Sequence, residues 1–450
     1  MNNKLVKKWC YWVLLSLFAP LLTLINTKTN SEIKVANNDV GLTNEVININ
    51  ASELFDNDQT VSGTINYDVE TKTIIKGDNL SFNLTSNLTK EFTLKSSFTQ
   101  KNINYQIEQI GDNLFENLFY INEKITNCSI IFAIDNGYTR ISQNAFKCGV
   151  ALTKIYLPNT LISIDDCAFS GCSNLSSINF PNQLTNIGNY AFQNNLNLKD
   201  ITNGFTDITN FGEGVFIGCS SITSVGELNS SLTSISKNLF NGCSSLEAIN
   251  IPDNVTLINE GAFASCTSLR LITLTENSKL NEIDSSAFKS CKSLTSFYFP
   301  KELKKIGGFA FNDNVSMKEI NLPASIIELG NCAFQNCSGI QIIYLNWEAV
   351  NNTALVLGSD KAKNIFKGIE KETKIFIPQV ANKQLYIDLY NEYNKVLKQY
   401  GLKVFGPDPN IYNFTSPILI ASLVGMFSIV GLMTTWYLVK TYRDKKNKNS

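Results

Sequence analysis

Between residues 141 and 345, apolar positions recur with a period far longer than that of a helix or a strand. A clear copy reads Ile235, Leu239-Phe240, Cys243, Leu246, Ile249 and Ile251-Pro252, and the next opens at Ile258 with Ala262-Phe263 and Cys266. The marker phenylalanines are Phe146, Phe169, Phe192, Phe216, Phe240, Phe263, Phe288, Phe311 and Phe334, spaced by 23 to 25 residues. Such a period marks a solenoid, whose units cannot bury an apolar face alone and must stack. Within each copy Leu-x-x-Ile-x-Leu, as in Leu152, Ile155 and Leu157-Pro158, reads as a short strand. The proline has no N–H for the ladder and ends it. Stacking predicts a parallel sheet advancing ~4.8 Å per copy, roughly 40–45 Å for nine copies. The Ile-x-x-x-Ala-Phe half is predicted to return along the opposite side as a loop or short helical turn that drives its Phe inward. The expected fold is thus an α/β-type solenoid with a parallel β sheet on its concave face.

Flanking patterns differ. Residues 26–105 are rich in Asn, Ser and Thr and alternate with period two, as in Val61-Ser62-Gly63-Thr64-Ile65, which predicts a small β-rich region. Ile110-Gly111-Asp112-Asn113-Leu114-Phe115 resembles half a copy, so 106–140 reads as a degenerate capping repeat. After Leu345, Phe366 and Ile375-Phe376-Ile377-Pro378 mark a divergent last copy, and Leu385, Leu389, Tyr393 and Leu397 at helical spacing before Gly401 predict a capping helix within 346–401. Residues 402–416 read as a linker.

The two ends carry the longest apolar runs. Lys4, Lys7 and Lys8 precede the uncharged stretch Trp9–Ile25, so residues 1–25 read as a signal peptide, with an uncleaved N-terminal anchor as the alternative. Residues 417–439 are uncharged and long enough to span a bilayer, and the Lys/Arg-rich tail 440–450 follows. The positive-inside rule then predicts a single-pass plasma-membrane protein, with the repeats extracellular and the C-terminus cytoplasmic.

Composition narrows the chemistry. The formal net charge of −1 hides cationic ends: without them the body holds 30 basic against 38 acidic residues, which offers no footprint for nucleic acid. No histidine is present, which removes Ser-His-Asp and Cys-His catalysis and histidine metal sites. No pair of acids stands out, and no enzyme activity or cofactor is expected.

The repeat resembles the treponemal-type leucine-rich repeats of BspA-like surface proteins. Leu157-Pro158, Ile187-Gly188, Ala191-Phe192, Ala262-Phe263-x-x-Cys266, Ala287-Phe288-x-x-Cys291 and Ala333-Phe334-x-x-Cys337 match that family's pattern, whereas Val215-Phe216 and Leu239-Phe240 depart from it. The resemblance implies a leucine-rich-repeat surface protein that adheres, binds host matrix proteins or co-aggregates. The alternative is a surface-coat protein that packs with its own kind.

Candidate sites follow from the columns that stacking creates. Three residues past each Phe stand Cys172, Asn195, Cys219, Cys243, Cys266, Cys291, Asn314 and Cys337. This column reads as a buried ladder of small polar side chains bonding to turn backbone, with disulfides as the alternative. A linear column does not supply a zinc tetrahedron. Cys128 with Cys148 is the pair expected to form a bridge if one exists. Outward strand positions predict the partner face: Tyr156, Asn179, Asn250, Thr273, Tyr298, Asn321 and Tyr344. A column of Tyr, Asn and Thr suits a surface or matrix protein of a host or neighbouring cell, or a neutral glycan.

Overall fold

The computed structural model of the protein describes residues 46–406, apart from 57, 59, 83–88, 119–127, 348–363, 379 and 381. The expected signal or anchor segment (1–25), the membrane-spanning segment (417–439) and the basic tail lie outside the described residues. Among the described residues no helix is long and apolar enough to cross a membrane.

The Leu-x-x-Ile segments form the expected parallel strands. Ser129–Ile134, Leu152–Tyr156, Ser177–Ile178, Asp200–Ile201 and Ser224–Val225 pair in sequence order. The series resumes at Ala248–Asn250 with Leu271–Thr273, and at Glu319–Leu322, Ile342–Leu345 and Lys374–Phe376. Register keeps equivalent residues side by side: Ile155 faces Ile178, Ile249 faces Ile272 and Ile320 faces Ile343. These strands constitute the first ladder.

The returning half of each copy is where the structure departs from expectation. Of the loop and the helical turn expected there it is the loop that forms, and it opens with a two-residue strand, so a second parallel ladder runs through Arg140–Ile141, Ser163–Ile164, Asn186–Ile187 and Asn210–Phe211. After a break in the pairing it resumes as a separate sheet through Ser234–Ile235, Leu257–Ile258, Glu282–Ile283, Lys305–Ile306 and Glu328–Leu329. The repeat is therefore β-dominated, and the one long helix among the described residues, Lys383–Leu397, lies after the repeats. Only one side chain per rung of the second ladder points inward, for example Ile164, Ile187 and Ile258, and each is buried.

The Phe turns form a third series of contacts. Each Phe N–H donates to the carbonyl of the residue before the next Phe, at 2.8 Å from Phe169 to Ala191 and from Phe288 to Ala310. Their rings stack with centroids 5.1 Å apart between Phe146 and Phe169 and 5.3 Å between Phe263 and Phe288. Around all eleven such turns, from Phe115 to Phe366, the residues two before and two after the Phe have positive φ, between 54° and 83°. That backbone costs an ordinary L-residue roughly 1–2 kcal/mol and is cheapest for Gly or Asn, which explains Asn144, Asn194, Gly214, Asn238 and Gly242 at these places.

Both ends of the stack are covered. Thr73–Lys76, the last strand of an antiparallel sheet with Val46–Asn50 and Thr64–Asp68, pairs in parallel with Gln109–Ile110 and so extends the second ladder. Thr89–Leu94 pairs in parallel with Ser129–Ile134 and extends the first. Phe55 closes the ring stack, with centroids 6.3 Å from Phe115 and 5.9 Å from Phe132. Residues 106–118 thus supply a regular rung around Phe115, and the cap proper is the antiparallel region before it. At the other end Tyr400 meets Phe366 edge-on at 5.7 Å. Leu389, Tyr393 and Leu397 bury the inner face of the helix, and the Tyr393 hydroxyl donates to the Trp347 carbonyl at 3.0 Å.

Candidate functional site

In a stack of this kind every column is either consumed by the stacking or left over for a ligand, and hydrogen bonds show which. In the column after the Phe turns, each thiol reaches back one rung. Cys172 Sγ donates to the Phe146 carbonyl at 3.1 Å, Cys219 to Phe192 at 3.0 Å, Cys266 to Phe240 at 3.2 Å and Cys337 to Phe311 at 3.0 Å. Cys243 and Cys291 repeat the contact with Phe216 and Phe263. Burial pushes the thiols of Cys172, Cys219 and Cys337 up to about 12 and raises those of Cys243, Cys266 and Cys291 as well. Thiols held neutral in this way are neither nucleophiles nor ready metal ligands. Asn195 and Asn314 occupy the same column, fully buried, but their amides find no hydrogen-bond partner among the described residues.

Cys128 and Cys148, the pair singled out should any bridge form, are free thiols here. Cys148 lies in the turn column with φ +58°, its sulfur facing Gly171 of the next rung, whereas Cys128 immediately precedes a first-ladder strand.

The outward column of the first ladder is more varied. Tyr156 projects into solvent, 41% exposed, with the Lys154 ammonium 4.4 Å from its ring centre, and Tyr298, 44% exposed, holds the equivalent repeat position on the segment 294–299, which forms no paired strand. Asn250 and Thr273 are exposed neighbours in register. Other members are partly spent on the fold. Asn179 accepts from the Leu157 N–H at 2.7 Å and donates to the Leu157 carbonyl at 2.9 Å, imitating a further strand residue. Asn321 accepts from Asn346 at 2.8 Å, and Tyr344 stacks on Phe376 at 5.2 Å. Burial raises the pKa of the Tyr344 hydroxyl.

A groove of about 780 Å³, which the sequence did not suggest, lies on the outer face of the second ladder. Its floor includes Gly188 and Gly212, where an added Cβ would come within 2.5 Å of the backbone nitrogens of Asp166 and Asn189 on the preceding rung. Rungs with a side chain at this position turn it back onto the rung before: Ser236 Oγ donates to the Phe211 carbonyl at 2.6 Å, and Asn259 Nδ2 to Ile235 at 2.8 Å. One wall is a column of acceptors that staple rungs together. Asp166 accepts from the Asn189 N–H at 2.6 Å, and Asn189 Oδ1 from the Glu213 N–H at 2.7 Å. Asn186 and Asn210 stand exposed on the other wall. Ion pairs sit towards the ends, Arg140 with Asp165 at 2.6 Å and Lys237 with Glu260 at 3.1 Å. The Asp165 hydrogen bond raises the Arg140 pKa, and a hydrogen bond with Glu213 raises that of Tyr190. Among the described residues no cluster of three acidic or thiol side chains is placed to hold a metal ion. The available signal in the sequence was the recurrence of Gly, Asp, Asn and Ser directly after each second-ladder Ile.

Comparison with known proteins agrees with the geometry of the rungs. The family described as BspA type leucine rich repeat region matches in six copies, over residues 139–270 and 209–341. A search of curated proteins found no significant match. Among solved structures, a leucine-rich repeat protein from Bacteroides ovatus is 21% identical and covers 77% of this chain and 98% of its own, with a TM-score of 0.41. A leucine rich cell surface protein from Faecalibacterium prausnitzii is 20% identical over 78% of this chain and 98% of its own, with a TM-score of 0.42. The T. pallidum leucine rich repeat protein is 22% identical over 47% of this chain and 89% of its own, with a TM-score of 0.38. The repeated core of this chain, residues 139–341, belongs to the BspA-type leucine-rich repeat family.

Proposed function

We propose that the chain is a non-enzymatic surface protein that captures a protein partner on the outward face of the first ladder. One observation carries this reading: outward positions of that ladder, and of the unpaired segment 294–299 that takes its place on one rung, stay open to solvent while presenting aromatic and amide groups, with Tyr156 and Tyr298 both more than two-fifths exposed. Rigid aromatic side chains on a scaffold fixed by three series of rung contacts give contact area at low entropic cost. Leu271, 57% exposed on the same ladder, adds apolar surface between them. Surface display is supported by the apolar segments at both ends and the cationic tail. A binding role is supported by the lack of histidine and by thiols held neutral.

The test is capture of surface-biotinylated matrix proteins by the chain and by its Tyr156→Ala/Tyr298→Ala variant. Truncating two interface aromatics at about 1–2 kcal/mol each should lower affinity by tenfold or more while the melting temperature holds. Undiminished capture by the variant discards the face as the site. Sedimentation of the same samples separates partner capture from self-association, and a chain that only self-associates supports a surface-coat role instead.

A further inference from the structure

We propose that the groove on the second ladder is a separate binding site for a linear, neutral oligosaccharide laid along the stack with one sugar ring per rung. The volume of about 780 Å³ falls within the range of small-ligand sites. Such sites are ordinarily walled by apolar side chains. Here the walls are amides and carboxylates, so the ligand must be comparably polar to replace the water it displaces.

Charge decides the class of polar ligand. Arg140 is paired with Asp165 and Lys237 with Glu260, so among the described lining residues no cation stands unpaired to hold a polyanion. The acids are engaged too: Asp112 accepts from the Gln143 N–H at 3.2 Å, Asp166 from the Asn189 N–H, and Glu213 lies 4.0 Å from Lys237. A carboxylate that accepts one or two hydrogen bonds retains lone pairs for a hydroxyl donor. Exposed amides such as Asn186 and Asn210 both donate and accept, as vicinal hydroxyls require.

The repeat supplies the geometry. Rungs advance by ~4.8 Å, close to the length of one pyranose unit in an extended chain. Asn186 and Asn210 are register partners on adjacent strands, and Asp166, Asn189 and Glu213 occupy one position on three successive rungs. The rungs of Asn186 with Asn189 and of Asn210 with Glu213 therefore offer similar pairs of polar groups to successive rings. The bare backbone at Gly188 and Gly212, imposed by rung packing, lets the rings lie close to the sheet. This site is on the opposite ladder from the protein-binding face, and neither depends on the other.

The full chain, held in a detergent without a sugar headgroup, would be titrated with maltohexaose, cellohexaose and chitohexaose, the matching trisaccharides and hexalysine. Saturable binding of at least one hexasaccharide is expected, tighter than its trisaccharide. Asn210→Trp, an exposed position where the ring fills the groove, should abolish it, and Asn186→Ala/Asn210→Ala should weaken it by tenfold or more. Tyr156→Ala/Tyr298→Ala should leave it unchanged, so this site and the protein-binding face are judged separately. Far-ultraviolet circular dichroism confirms that each variant is folded. No saturation by any hexasaccharide, equal binding to the tryptophan variant, equal affinity for the trisaccharide, or preference for hexalysine would each overturn the proposal.

Discussion

At the scale of single residues, the informative contrast lies within the thiol column. Six cysteines satisfy a buried carbonyl one rung back, whereas Asn195 and Asn314 bury both ends of an amide without a partner. An unsatisfied buried polar group costs about 1–3 kcal/mol, so Asn195→Cys and Asn314→Cys should each stabilise the fold by that order, measured as a rise in melting temperature. Alkali offers a second readout. The unfolded thiol ionises near its ordinary 9.0, but folded Cys219 keeps its proton to about 12. Its contribution is complete below pH 9 and is lost as pH rises from there towards 12, because only the unfolded chain has released the proton. The stability deficit of Cys219→Ala should therefore narrow across that window. That Cys and Asn share a column was legible in the sequence. The failure of the amide to copy the thiol's contact was not, because it depends on side-chain reach in three dimensions.

At the scale of the element, the turn dominates. Its left-handed residues on either side of Phe explain why Asn, Gly and Ser crowd around Ala-Phe, a pattern visible in the sequence without its cause. Ser286, with φ +58°, tests it directly. Ser286→Val should cost roughly 1–2 kcal/mol, whereas Ser286→Gly should be close to neutral. Chemical denaturation of the two variants side by side checks the difference. The second ladder escaped detection for a related reason. A two-residue strand with one inward side chain, as at Ser163–Ile164, gives no period-two signal, and its pairing is written only in the stacking of copies. The groove was hidden with it, since its floor exists only where Gly188 and Gly212 lie against the rung before.

For the whole molecule, the repeats set the fold and the caps cover its open ends. The first strand of the repeated series has a partner on each side only because Thr89–Leu94 pairs with Ser129–Ile134. Thr73–Lys76 does the same for the second ladder. Deleting 46–106 would bare two strand edges and the Phe115 ring at once, and unpaired edges recruit other chains. Such a deletion should elute as larger aggregates than the intact chain on size-exclusion chromatography. The alternation in 61–69 pointed to strands, but their docking onto the stack joins residues distant in sequence and left no local trace.

The register of the rungs also has a mechanical consequence. Neighbouring rungs are held by a Phe turn and, along most of the stack, by one or both strand ladders, repeated every 23 to 25 residues. Tension applied along the stack would peel it in quanta, each releasing one rung's length of chain. Twenty-odd residues at ~3.3 Å, less the ~4.8 Å the rung already spanned, give a step of ~75 Å. A pulling trace should show a sawtooth of nearly equal teeth, and a single tall rupture would mean that the stack yields as one body.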